Sequence, residues 1–235
     1  MKFHTDVCPI CNDMGFIIKT IKGHEYGEEC SCMAKKRIMQ MLSHSGIDFT
    51  EYQAKTLESF NANTEESKRM KKKAMDFLSD KKATGIGYFG KPGTGKTHIC
   101  IAICLDLTKR RGISHKYFAY RREIDKLRGI RFNDLEFGRA IKEWTTCPVL
   151  YIDDLFKFSK NGYGEYDTWE LGVMFNIIND RYLSKRTTIF SSEYLLKDII
   201  NSIDEALGSR ISSLIGGYGV KCDGVNRRIK QFKKV

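Results

Sequence analysis

Gly90–Lys91–Pro92–Gly93–Thr94–Gly95–Lys96–Thr97 decides how this chain is read. It is a complete G-x-x-x-x-G-K-T phosphate loop, and its flanks suit it. The apolar run Ile86–Phe89 before it predicts a buried strand, and Lys96–Arg110 after it predicts a helix that is apolar on nearly every side. The glycines let backbone N–H groups turn toward a phosphate, and the helix N-terminus adds a positive field. Lys96 is expected to reach the β- and γ-phosphates, and the Thr97 hydroxyl to ligate Mg²⁺. His98 completes the segment expected to bind ATP.

Strands and helices alternate from Thr84 onward. Lys116–Ala119, Val149–Ile152 and Thr187–Ser191 read as strands. Arg121–Arg128 reads as a short basic helix, and Leu171, Met174, Ile178 and Tyr182 form a helical stripe. Helical patterns follow at Leu195–Ile200 and Ile203–Leu214. This alternation predicts an α/β fold with a parallel sheet covered by helices on both faces. Three units are expected: residues 1–46 with the cysteines and a helix (Ala34, Ile38, Met41, Leu42), a lead-in at 47–83, and the nucleotide domain at 84–235. The lead-in holds a charged helix from Thr64 to Ser79, with Thr64 as N-cap.

Hydrolysis needs carboxylates, and Val149–Leu150–Tyr151–Ile152–Asp153–Asp154 supplies two where α/β sheets bind ligands, at a strand's carboxyl end. Asp153 is assigned to the Mg²⁺ shell and Asp154 to the attacking water. After the next strand, Ser191, Ser192 or Glu193 is placed to sense the γ-phosphate; a simple strand-to-helix cap is the alternative. Arg210 closes a helix and offers a guanidinium that suits a transferring phosphoryl group, although a surface arginine fits as well.

The eight cysteines divide evenly. Cys8-x-x-Cys11 and Cys30-x-Cys32 are crowded near the N-terminus, and Cys100, Cys104, Cys147 and Cys222 read as small buried residues. No secretory pattern is seen, because His4, Thr5 and Asp6 interrupt any apolar core, so a cytoplasmic protein with no membrane span is expected. Four thiolates that hold Zn²⁺ are the preferred reading over free thiols, with His4 and His24 as substitute ligands. The net charge of +11 suits a polyanion. Lys68, Arg69, Lys71, Lys72 and Lys73 read as a solvated helix face. Tyr120, Arg121, Arg122 and Lys126 are the candidates for contact with single-stranded DNA. The basic tail with Arg227 and Arg228 is left open between DNA and nucleotide.

Several motifs together resemble the DnaC/DnaI-type bacterial helicase loaders, which are AAA+ ATPases, with the IstB-type transposition helpers as close relatives. The likeness rests on Asp153–Asp154, on Asp204–Glu205–Ala206–Leu207–Gly208–Ser209–Arg210–Ile211 and on Gly224–Val225–Asn226–Arg227–Arg228. It runs from Leu57 to Arg228 and touches the cysteine segment, where Cys8–Gly15 is similar to a zinc-ribbon knuckle. The resemblance implies an AAA+ core without a full lid and a slow, partner- or DNA-stimulated ATPase. It implies Arg210 as an arginine finger on a neighbouring subunit's ATP, self-assembly on ATP binding, and Phe60 in the adenine pocket. It also implies an N-terminal module that engages the replicative hexameric helicase during DNA replication. Glu193 departs from the family's usual asparagine, and that departure supports a third reading: a nucleotide-operated switch without turnover.

Overall fold

The structure is a computed structural model that describes residues 7–157 and 165–230. The chain begins with a knuckle at Cys8–Gly15 and an antiparallel hairpin of β1 (Phe16–Ile21) and β2 (His24–Glu29). Its two-residue turn, Lys22–Gly23, has positive φ at both positions, which matches the twist of hairpin strands. Helices α1 (Ser31–Ser43), α2 (Phe49–Ala54) and α3 (Glu65–Ser79) follow. Thr64 caps α3 in a reciprocal pair with Ser67, satisfying orphan N–H groups at its start.

The rest alternates, as the sequence predicts: β3 (Gly85–Gly90), α4 (Lys96–Arg111), β4 (His115–Ala119), α5 (Tyr120–Gly129), α6 (Asp134–Thr146), β5 (Val149–Asp153), α7 (Thr168–Leu183) and β6 (Thr187–Ser192). Then come α8 (Leu196–Asp198), which runs into a π-helical turn, α9 (Glu205–Ile215), β7 (Gly219–Cys222) and α10 (Arg227–Lys230). The five strands β3 to β7 form one parallel sheet in the order β4-β5-β6-β3-β7. This is an AAA+ P-loop fold.

Alternation along the strands splits the core in two. Ile86, Tyr88, Tyr151 and Ile189 face one apolar cluster, with α4 and Met70, Ala74 and Phe77 of α3. Phe89, Leu150, Ile152 and Phe190 face the other, with α7 and α9. Helix α4 is apolar on nearly every side because it lies between the sheet and the N-terminal helices. Ile38 and Leu42 bring α1 onto this same core.

The sequence pattern does not predict the hairpin, α2, α6, β7 or α10. The stripe expected on α7 is also rotated. Val173, Met174, Ile177 and Ile178 are buried while Tyr182 is exposed, and Arg181 is fully buried. Its guanidinium donates to the Trp144, Cys147 and Thr187 carbonyls at 2.9, 2.9 and 2.6 Å, so it ties α6 and two strand starts together.

A second buried polar chain pins the α1–α2 loop to the sheet. The His115 ring bonds Thr108 Oγ1 at 2.8 Å and the Tyr52 hydroxyl at 2.5 Å, and Tyr52 lies 2.7 Å from Ser45 Oγ. Burial pushes the His115 imidazole down from 6.5 to about 4. The unfolded chain therefore takes up the extra proton first, and stability that is full above pH 6.5 is lost as pH falls toward 4. The expected loss is about 3 kcal/mol across that window. Urea unfolding at about pH 7 and about pH 4.5 checks it: the wild type should lose this stability, and a His115→Asn protein, weaker at neutral pH, should lack that component of the slope.

Candidate functional site

The phosphate loop joins β3 to α4 and works through its backbone. Gly90, Gly93 and Gly95 have φ of 127°, 73° and 104°. A Cβ at Gly90 would lie 2.2 Å from the Cys222 carbonyl oxygen, and one at Gly93 would lie 1.9 Å from Asn226 Oδ1. At Gly90 only glycine fits both the dihedrals and the space, while at Gly93 a side chain would be strained and would displace the Asn226 amide. Gly95 is the N-cap of α4 and offers no side-chain cap, so the first N–H groups of a buried helix stay available to an anion.

Lys96 is buried and folds back on the loop, donating to the carbonyls of Gly90 at 2.6 Å and Lys91 at 2.7 Å. Burial lowers its pKa. The loop opens into a cleft of about 260 Å³ lined by Lys55, Phe60, Pro92, Gly93, Gly95, Lys96, Thr97, His98, Asp154, Lys157, Glu193, Arg227 and Arg228. Cations outnumber carboxylates in this lining, as a polyphosphate requires. A larger cleft of about 550 Å³ includes His115, Lys116 and Pro148, at the opposite ends of the strands, away from the phosphate loop.

Asp153 ends β5 beneath this cleft and is held by hydroxyls. Thr97 Oγ1 donates to its Oδ1 at 3.2 Å, Tyr151 at 2.5 Å, and Ser191 more closely still; Tyr117 donates to Oδ2 at 2.8 Å. Thr97 and Asp153 are thus the pair that could hold a divalent cation, with Asp153 oriented from behind. Burial raises the pKa of both tyrosines, keeping the phenols protonated as donors. The sequence reading predicts neither tyrosine at the acids. The available signal was Tyr151 amid an aliphatic buried strand, since a buried phenol needs a partner.

Asp154, with φ of 54°, lines the cleft and receives Lys157 Nζ at 3.0 Å. Glu193 receives the same ammonium at 2.9 Å. Ser191 donates to Asp153 and accepts the Asp154 N–H at 3.1 Å. Ser192 is a correction. It is fully buried, donates to the Leu155 carbonyl at 2.8 Å and accepts from Tyr194 N–H, so its hydroxyl turns away from the cleft. The alternation that brings Ser191 to the acids carries Ser192 to the other side.

Phe60 is buried, with a Cβ at Gly95 reaching its ring at 3.1 Å, His98 edge-on at 5.2 Å and Arg227 over its face at 5.4 Å. The segment after β7 lies across the loop: Arg227 N–H donates to the Gly93 carbonyl and Arg227 Nη1 to the Asn61 carbonyl. Of the basic tail, Arg227 and Arg228 therefore belong to the cleft; residues 231–235 lie outside those described. Arg210 does not line the cleft of its own chain. It sits on α9 over Phe175 at 4.5 Å and donates to Asn179 Oδ1 at 2.6 Å.

The expected DNA surface is altered. Tyr120 is 1% exposed and packs against Phe118 and Phe156, so it presents no face to a base. As the first residue of α5 it turns into the core that the preceding strand helps to build. Arg121 pairs with Asp125 and Glu170, and Arg122 and Lys126 pair with Glu123 at 2.7 and 3.1 Å. Their charge is already matched by acids.

The Cys8, Cys11, Cys30 and Cys32 sulfurs lie within 4.8 Å of one another. Cys8–Cys30 and Cys11–Cys32 are 3.8 and 3.5 Å apart, far beyond a disulfide. Tetrahedral Zn–S bonds of about 2.3 Å would set sulfurs about 3.8 Å apart, so this donor set fits a metal. Backbone N–H groups of Ile10 and Cys11 draw the Cys8 thiol down to about 6, while burial and neighbouring sulfurs push Cys32 up to about 12. His24 ends at the hairpin tip, outside this set, and His4 lies outside the described residues.

IstB-like ATP binding proteins match this chain over residues 19–210. The chain is 30% identical over 201 residues to the uncharacterized protein YqaM of Bacillus subtilis (strain 168), covering 82% of this chain and 62% of YqaM, under two thirds of that protein's length. It is 28% identical over 225 residues to the phage-like element PBSX protein XkdC of the same strain, covering 92% and 82%. The crystal structure of the DnaC helicase loader matches with a TM-score of 0.61 at 21% identity over 73% of this chain and 98% of that one, a likeness of fold. Among the described residues no helix is long and apolar enough to cross a membrane. A phosphate loop, a paired-acid strand and a match over most of the sequence lead to one conclusion: this chain belongs to the family of IstB-like ATP-binding proteins.

Proposed function

We propose that the chain is an ATPase that loads a replicative hexameric DNA helicase onto single-stranded DNA. The observation that carries this reading is the convergence of Lys96, Thr97, Asp153 and Asp154 at one sheet edge, in a chain that also bears a four-sulfur cluster. The fold shared with the DnaC helicase loader supports it. ATP enters with its phosphates on the loop and its base toward Phe60. Thr97 and Asp153 would hold Mg²⁺, which would supply neutralisation of the charge on the triphosphate. Asp154 takes the proton of the attacking water, and Arg210 from an adjoining subunit stabilises the charge that develops.

In this reading residues 1–46 are the helicase-facing module, held in shape by zinc, residues 47–83 lead in to the ATPase domain at 84–235, and ATP binding drives self-assembly. With the α5 cations matched by acids, Arg121, Arg122 and Lys126 contact single-stranded DNA only where phosphates displace Asp125, Glu170 and Glu123 from them.

The family match favours a second client, a transposase, in the manner of the IstB-type helpers. Affinity capture from cells that retains a transposase and no helicase would reverse the ranking.

Separate variants test the engine and the module. Lys96→Ala should lose nucleotide binding and helicase loading. Arg210→Ala should bind ATP but turn over about 10³-fold more slowly. Mixing the two inactive proteins should restore ATPase activity, because the Lys96→Ala subunit lends its Arg210 to a neighbour's site. A mixture that stays inactive argues against action across subunits, and normal loading by Lys96→Ala argues against the mechanism. For the module, metal analysis of the full chain should find a single zinc per protein, released on thiol modification. Cys30→Ser should lose the zinc and helicase binding while leaving ATP binding within about twofold, since a structural site performs no chemistry.

A further inference from the structure

Asp154 and Glu193 leave adjacent parallel strands at the same edge of the sheet, and Lys157 stands between them. Its Nζ lies 3.0 Å from Asp154 Oδ2 and 2.9 Å from Glu193 Oε1, and all three side chains line the nucleotide cleft. The turn that delivers Lys157 is unusual. Asp154 and Phe156 both adopt left-handed backbone, at φ of 54° and 66°, and Lys157 N–H closes the turn on the Asp154 carbonyl at 2.9 Å. A bulky residue rarely adopts such a conformation, and here the fully buried Phe156 ring, packed against Tyr120, holds it. Partial burial works against the ammonium, yet hydrogen bonds to Glu193 and Asp154 raise its pKa, so it is charged at neutral pH.

Glu193 poses a problem that Lys157 answers. A lone carboxylate on this wall would repel the terminal phosphate of ATP. We propose that Lys157 is a positioning residue for that phosphate: its ammonium cancels Glu193 and aligns Asp154 beside it, which lets a carboxylate-lined wall accept a triphosphate. The inference rests on the ATP-site reading above and adds to it a device for telling ATP from ADP. In that reading the loop and α4 would serve the α- and β-phosphates and the wall would face the γ-phosphate, so removing Lys157 should penalise ATP and spare ADP.

The test is equilibrium binding of ADP and of the β,γ-methylene analogue of ATP to the full chain with Mg²⁺. Lys157→Ala should weaken the ATP analogue at least about tenfold, as an exposed unit charge near a phosphate predicts at a half-buried site, with ADP within about twofold. ADP binding and an unchanged thermal midpoint show that the variant is folded. Lys157→Arg should keep the wild-type preference. Adding Glu193→Gln to Lys157→Ala should restore most of the lost affinity, because the charge needing compensation is gone. Equal weakening of both nucleotides, no weakening of either, or no recovery in the double variant overturns the inference. Wild-type protein that binds neither nucleotide overturns the ATP-site reading, and this inference with it.

Discussion

The parallel pairing of β5 with β6 is the constraint on which the site depends. With Ile152 opposite Phe190, the next residues, Asp153 and Ser191, meet at the sheet edge. That contact fixes Asp153 where Thr97 reaches it, and it lets the Ser191 hydroxyl receive the Asp154 N–H. Slipping the register by one residue would exchange Ser191 for Ser192, whose hydroxyl now serves the Leu155 carbonyl. The acids would then lose their support and the cluster beneath them would lose its packing. Burial on both faces protects against such a slip, since Tyr151 and Ile152 are fully buried on opposite sides.

The phenols of Tyr117 and Tyr151 belong to the candidate site as much as to the core. A carboxylate that ends a buried strand is costly unless its lone pairs are met. Four hydroxyls meet those of Asp153 without bringing a cation, so the carboxylate stays available to a metal. Asp154 is treated differently, because an ammonium attends it. The two acids are neighbours in sequence and differ in environment, which suits different tasks.

Much of this was legible from the residues. The phosphate loop carries its own geometry, because no other residue tolerates the Gly90 backbone in the space available, and the left-handed Gly93 strains any side chain. The acid-bearing strand was legible because four apolar residues ended in two acids. Three kinds of feature were not. Strand β7 is four residues of mixed character, Gly-Val-Lys-Cys, held by pairing with β3 and by burial of Val220 and Cys222. The stripe on α7 was read with Tyr182 inside, whereas a buried Arg181 takes that face, since three carbonyls and the Thr188 hydroxyl satisfy it. Tyr120 was read outward because aromatic and basic neighbours suggest nucleic acid, and its partners Phe118 and Phe156 are known only once the chain has folded.

Charge is where sequence and structure differ most instructively. A net charge of +11 implies a surface for a polyanion, but much of the basic side-chain content near α5 is matched by buried Glu123 and Glu170. The excess that faces a ligand lies instead in the nucleotide cleft, where Lys55, Lys96, Arg227 and Arg228 surround two carboxylates already joined through Lys157. A triphosphate entering such a cleft meets a positive field with Glu193 already compensated by Lys157, so binding need not await a rearrangement of charge. Arg210 stays apart, bonded to Asn179 and the Ala206 carbonyl and stacked on Phe175. Its contacts already restrict the guanidinium, which lowers the entropic cost of presenting it to a neighbour. Within one chain the cleft has cations for binding but lacks this arginine, which is the asymmetry that the proposed action across subunits requires.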